Sequence, residues 1–148
     1  MSTPDEPSSA FTHQVRDYCL CLHVQRTARA LARRFDDAFR PVGLTQGQFS
    51  LLTSLNRAVP PTIGDVAELL ALDRTTLTAN LKPLERRKLV KVTVDAEDRR
   101  SRRLILTPAG RAVLAAAAPI WKRVHRQAER LLTRANPDLV RMSLRELC

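Results

Sequence analysis

Between His13 and about Arg40 the chain has no Pro or Gly, and Val15, Tyr18, Cys19, Leu22, Arg26, Leu31 and Phe35 recur at three- to four-residue steps. That spacing lays them along one face of a helix. It predicts a single long first helix, ended by Pro41 and Gly43. Thr45 followed by Gln48 is a capping box, in which each side chain satisfies the other residue's free backbone N–H. Behind it Phe49, Leu51, Leu52 and Leu55 fill a second helix of about three turns that stops before Pro60 and Pro61. Thr62 with Asp65 opens a short third helix, TIGDVAELLA, with Ile63, Val66, Ala67 and Leu70 on its inner face. Leu72 and Asp73 make a turn, and Asp73 caps a fourth helix, RTTLTANLKPLERRK. Its Leu77, Leu81 and Leu84 point inward, which leaves Thr75, Thr76, Thr78, Ala79, Asn80 and Lys82 outside. Pro83 lacks the N–H that would bond the Ala79 carbonyl, so it should kink or loosen this helix.

The period then drops to two. LVKVTV and RRLILT place Val90, Val92, Val94, Leu104 and Leu106 at alternate positions, the pattern of a two-stranded hairpin around a charged loop without Gly. Thr107 and Pro108 occupy the N-cap and first position of a fifth helix running past Trp121 to about Ala135, and Asn136 with Pro137 repeats that signal for a last helix reaching Cys148. Residues 1–10 hold prolines, serines and acids that bury no apolar area, a disordered tail. A short helix, a tight turn, a second helix and then a hairpin are the parts of a winged helix-turn-helix. The fold class is therefore mainly α with a small β-wing, in one domain over residues 11–148.

Composition narrows the partners. The chain carries 25 Lys and Arg against 15 Asp and Glu, a formal +10, which favours polyanions. Between Arg74 and Arg103 ten basic residues stand against four acids, so +6 of that +10 falls within 30 residues. No apolar run is long enough to span a bilayer, and the acidic N-terminus does not read as a secretory signal, so no membrane partner and a cytoplasmic location are expected. Cys19, Cys21 and Cys148 form no paired disulfide or zinc pattern, and His13, His23 and His125 lack ligand spacing, so neither metal nor cofactor is expected. No nucleophile elbow, phosphate loop or HExxH motif is present to indicate an enzyme.

Thr, Asn, Lys and Arg side chains on a helix lying in the major groove reach base edges and phosphates. Arg74, Thr75, Thr76, Thr78, Asn80 and Lys82 fit that role on the fourth helix. Asp98, Arg99, Arg100 and Arg102 crowd the tip of the hairpin, where arginines can enter the electronegative minor groove and hold phosphates. Double-stranded DNA is thus the expected partner.

The stretch LDRTTLTANLKPLERRKLVKV followed by DAEDRRSRRLILTPAG resembles the MarR family of winged helix-turn-helix transcriptional regulators, and the resemblance runs from about residue 13 to the end. It implies that Arg100 is the minor-groove arginine, that Asp98 orients it by a charge-assisted bond, and that the flanking helices (11–44 and 108–148) dimerise around a DNA-binding lobe (45–107). It also implies a small aromatic or anionic effector between these regions, with His23, Arg26 and Phe49 as candidate lining. Some of the family sense oxidants through a first-helix cysteine at a place similar to Cys19, although His23 stands here where a supporting tyrosine is expected. Lys88 replaces a common glycine, so the turn after the fourth helix must tolerate a side chain.

Three functions remain open at this point: a homodimeric repressor released from a pseudo-palindromic operator by an effector, a redox-responsive regulator acting through Cys19, and a nonspecific DNA-coating protein for which charge alone suffices.

Overall fold

The computed structural model describes residues 6–148. Helices α1 (Ser9–Tyr18) and α2 (Leu20–Phe39) lead through a 3-10 turn (Arg40–Val42) into α3 (Gln46–Ser54), α4 (Ile63–Leu69) and α5 (Arg74–Arg86). Strands β1 (Val90–Val94) and β2 (Arg102–Leu106) form an antiparallel hairpin, and α6 (Pro108–Glu129) and α7 (Pro137–Arg145) close the chain.

Both capping boxes form as read, at Thr45 with Gln48 and at Thr62 with Asp65. Asp73 caps α5 by accepting the backbone N–H of Thr76 at 2.7 Å. Beneath α5 the side chains of Leu77, Leu81 and Leu84 join Phe39, Leu51, Leu52, Val66, Leu89, Leu104 and Leu106 in one core, with Ala117 of α6 closing it. Pairing of Val90 with Leu106 and Val92 with Leu104 turns the apolar face of the hairpin into that core, whereas Val94 pairs with Arg102 and is exposed. Helix α5 continues through Pro83, and the carbonyl that loses its partner belongs to the exposed Ala79. Lys88 takes the positive φ of 58° expected of the family's glycine.

Several boundaries differ from the sequence reading. The long first helix is two, because Cys19 leaves the helical region (ψ 107°) and its Sγ accepts the N–H of Leu22 at 3.5 Å as the N-cap of α2. Periodicity cannot register a break made by a side-chain acceptor instead of by Pro or Gly. Helix α1 starts at Ser9, capped by Ser8, so the expected tail is shorter than 1–10, and its residues 1–5 lie outside the described residues. Helix α3 ends at Ser54, α6 at Glu129 and α7 at Arg145, each short of the apolar pattern because backbone turns take over their last carbonyls.

Neither α1 nor α7 buries a residue. Phe11, Val15, Tyr18 and Leu20 at one end of the chain, and Leu139, Met142 and Leu147 at the other, are exposed. Of the face read on the first helix, Phe35 packs partly against the core, while Val15, Tyr18 and Leu31 stay uncovered within this chain.

Candidate nucleic-acid interface

Helix α5 and the hairpin meet on one exposed side of the lobe. Arg74, Thr78, Asp98, Arg100 and Arg102 line a cleft of about 420 Å³ floored by Ile63 and Gly64 of α4. Arg74, Thr75, Thr78 and Lys82 also border a shallower groove of about 350 Å³ along α5. The structure therefore brings the first turns of α5 and the wing tip onto one surface. Thr76 and Asn80 line neither hollow: the Thr76 hydroxyl donates to the Asp73 carboxylate at 2.8 Å, and Asn80 is half-buried. These two bonds from Thr76 hold the Asp73 carboxyl below its ordinary range.

The wing tip is shaped by its acids. The Asp95 backbone N–H donates to the Ser101 carbonyl at 3.1 Å, and the Ser101 N–H donates to the Asp98 carbonyl at 2.9 Å. Asp98 does not bind the Arg100 guanidinium as expected; its carboxylate accepts the Arg100 backbone N–H at 2.9 Å. An acceptor two residues back satisfies the main chain before it reaches the long side chain, which leaves the Arg100 guanidinium free while the loop beneath it is fixed.

A second acid supports the wing from inside. Asp95, 7% exposed, accepts the Glu97 backbone N–H at 3.0 Å and the Arg103 guanidinium at 3.0 Å. Those bonds, led by Glu97, hold its carboxyl below the ordinary value. The other end of Arg103 donates to the Pro60 carbonyl at 2.6 Å, and the Leu104 N–H reaches the Pro61 carbonyl at 2.9 Å. Of the four arginines in the RRSRR tip, Arg103 is thus spent on bracing the hairpin against the α3–α4 loop. Among the described residues Arg99, Arg100 and Arg102 carry no ion pair, although Arg102 also donates to the Arg99 carbonyl at 3.0 Å. Sequence reading missed the brace between Asp95 and Arg103. Its only signal was an acid just after one strand and a base early in the next.

The candidate effector residues separate. His23 and Arg26, with Arg29 and Arg33, line an open groove of about 520 Å³ along one face of α2. Phe49 lies elsewhere, in a ladder of rings: it stacks on Phe39 with centroids 4.7 Å apart and faces Trp121 at 6.5 Å, and Trp121 stacks on His125 at 4.6 Å. An apolar ring that close to the core gains more from aromatic packing than from lining an arginine-rich groove. Cys19 is half-buried and Cys21 exposed, and His23 Nδ1 donates to the Cys19 carbonyl at 2.8 Å. Among the described residues no group of three or more His, Cys, Asp or Glu is placed to hold a metal, and no helix is long and apolar enough to cross a membrane.

Residues 42–101 match the family model described as MarR family. The chain is 38% identical to the M. tuberculosis transcriptional regulator MosR, solved in complex with DNA, over 88% of this chain and 93% of that one, with a TM-score of 0.77. It is 30% identical to the transcriptional repressor CouR, solved on a 23-mer DNA duplex, over 97% and 99% of the two chains, with a TM-score of 0.79. A segment of 97 residues is 34% identical to the transcriptional activatory protein BadR of Rhodopseudomonas palustris; that segment is 64% of this chain and spans 55% of BadR, about half its length. The chain belongs to the MarR family of winged-helix transcription regulators.

Proposed function

We propose that the chain is a homodimeric, sequence-specific DNA-binding repressor that leaves a pseudo-palindromic operator when a small aromatic or anionic effector binds. The observation that carries this reading is the shared surface of the α5 N-terminal turn and the wing tip, where Arg74, Arg99, Arg100 and Arg102 stand without carboxylate partners among the described residues. On DNA, α5 enters the major groove, about 12 Å wide, with Thr75 and Thr78 toward base edges. Arg100 then reaches the adjacent minor groove, and Arg99, Arg102 and Lys82 hold phosphates. MosR and CouR, both solved on DNA, support the same use of this fold here.

Pairing of two copies supplies what the uncovered apolar faces of α1 and α7 lack. In this reading residues 11–44 and 108–148 dimerise and 45–107 form the DNA-binding lobe. The cationic groove of His23 and Arg26 is the effector's place, and an effector that prefers a dimer with mismatched lobe spacing lowers operator affinity by its preference, about 1–3 kcal/mol for a five- to 150-fold response. Fluorescence anisotropy of purified dimer on a selected duplex and on its scrambled counterpart tests this: a clear preference for the selected duplex is expected, and equal binding would instead support nonspecific coating.

One observation favours a second input. The Cys19 thiol caps α2 at the break between α1 and α2, so its oxidation by peroxide to a sulfenic acid, with release of water, puts an oxygen on the capping sulfur and disturbs that junction. Under this reading C19S abolishes peroxide-dependent release and spares release by an effector; a C19S protein that still responds to peroxide contradicts it.

A further inference from the structure

The end of α5 is hydrogen-bonded to both flanking segments of the chain, the turn after α2 and the start of α6. On one side Arg87, the residue that ends α5, donates from Nη1 to the Gly43 carbonyl at 2.6 Å, across 44 positions of sequence. Gly43 stops the turn after α2 with a φ of 65°, and a Cβ there would stand 3.2 Å from Arg87 Nη2. The fit is close, and among the described residues this is the one hydrogen bond joining the end of α2 to α5. Arg87 is exposed and has no ion pair among the described residues.

On the other side α6 is tied to the same turn through the backbone. Thr107 Oγ1 donates to the Lys88 and Leu89 carbonyls at 2.7 and 3.0 Å, and the Thr107 N–H donates to Leu89 at 3.1 Å. Phe39 buries the end of α2 in the same core and Asp36 holds the Gln46 N–H at 2.6 Å, but the polar link from this side to the end of α5 is the Arg87 guanidinium.

We infer that Arg87 is a positioning residue that sets the angle between α2 and the recognition helix, and through it the operator spacing the dimer accepts. This rests on the reading of the chain as a dimeric DNA-binding regulator. The lever arm is long: the 13 residues of α5 extend about 20 Å at 1.5 Å each. Turning α5 by about 10° about its Arg87 end moves the reading end by about 3.4 Å, one base-pair step. Losing the donor at the pivot thus widens the range of half-site separations that each lobe accepts.

The competing role for an exposed arginine is contact with a DNA phosphate, and the two roles separate experimentally. A phosphate contact lowers affinity for every duplex alike and reduces the salt slope by about one. A positioning residue changes which spacing is preferred and leaves half-site base preference and salt slope alone.

The test is a set of duplexes carrying the selected half-sites with the spacer shortened by one, unchanged, or lengthened by one or two base pairs, titrated with wild type, R87A, R87K and G43A after circular dichroism confirms folding. Each added base pair moves a half-site by about 3.4 Å and turns it by roughly 35°. Wild type should lose at least about tenfold in affinity on a one-base-pair change, whereas R87A should differ by less than about threefold across the set. R87K keeps an N–H donor and should track wild type. G43A displaces the guanidinium without removing its charge and should broaden the profile as R87A does; it decides the matter if R87A does not fold. A spacer profile of R87A parallel to that of wild type, shifted down uniformly, overturns the inference. If wild type prefers no duplex at all, the regulator reading fails and takes the inference with it.

Discussion

Replacing Gly110 by Ala perturbs the junction between α6 and the turn that follows α5. A Cβ at this position would stand 2.2 Å from the Leu89 carbonyl oxygen and 2.7 Å from Leu106 Cδ1. Neither neighbour yields easily, since one is backbone in the turn between α5 and β1 and the other is 4% exposed in the core. Ordinary contact distance requires α6 to retreat by about 1.2 Å. The retreat stretches the Thr107 N–H bond to Leu89 and the bifurcated bond that its one hydroxyl proton makes to the Lys88 and Leu89 carbonyls, each worth about 1 kcal/mol. Ala in place of Gly returns about 1 kcal/mol of helix propensity, which leaves a net loss of about 1 kcal/mol, or about 3 kcal/mol if packing strain persists. Urea unfolding at fixed protein concentration reads this as a lower midpoint with unchanged slope. Equal stability, or a gain of about 1 kcal/mol from propensity alone, would refute the close approach of α6 to Leu89.

Other perturbations address the interface. R100A should weaken operator binding by more than the roughly 1 kcal/mol of a rim charge, read by anisotropy; unchanged affinity removes the wing from the interface. The logarithm of affinity should fall with the logarithm of salt concentration at about 0.9 per phosphate neutralised, and a flat dependence would exclude a nucleic-acid partner. Asp73 and Asp95 titrate below their ordinary value in the folded chain, so the stability they confer is complete above about pH 3.9 and is lost as pH falls through their lower folded values. Melting temperature measured against pH should therefore drop on the acid side, and D73N should flatten that drop; a D73N curve with the same acid limb as wild type contradicts the cap.

How much of this was legible in the sequence follows the range of the interactions. Capping at Thr45, Thr62, Asp73, Thr107 and Asn136 is local, spans two or three residues, and was readable to the residue. The inward leucines of α5 and the inward Val90, Leu104 and Leu106 of the hairpin follow from period alone, whereas the pairing of the strands does not, and Val94, read on the same face, is exposed. What escaped depends on partners distant in sequence or on competition between acceptors. Arg103, counted with the basic residues between Arg74 and Arg103, is committed to Pro60 and Asp95, and Pro60 lies 43 positions away in the sequence. Arg87 meets Gly43 only after the lobe closes. Asp98 had a backbone N–H nearer than the guanidinium assigned to it. Phe49 was placed with His23 and Arg26, but the rings of Phe39 and Trp121 claim it.

Binding selection of the purified protein from random duplex DNA, followed by footprinting of the enriched sequence, tests the central claim most directly. The expected result is one enriched pseudo-palindrome with half-site centres about 34 Å apart, protected symmetrically on both strands. Retention of DNA without any enriched sequence, or an asymmetric single half-site, would contradict a two-fold regulator and leave only charge-driven coating to explain the basic surface.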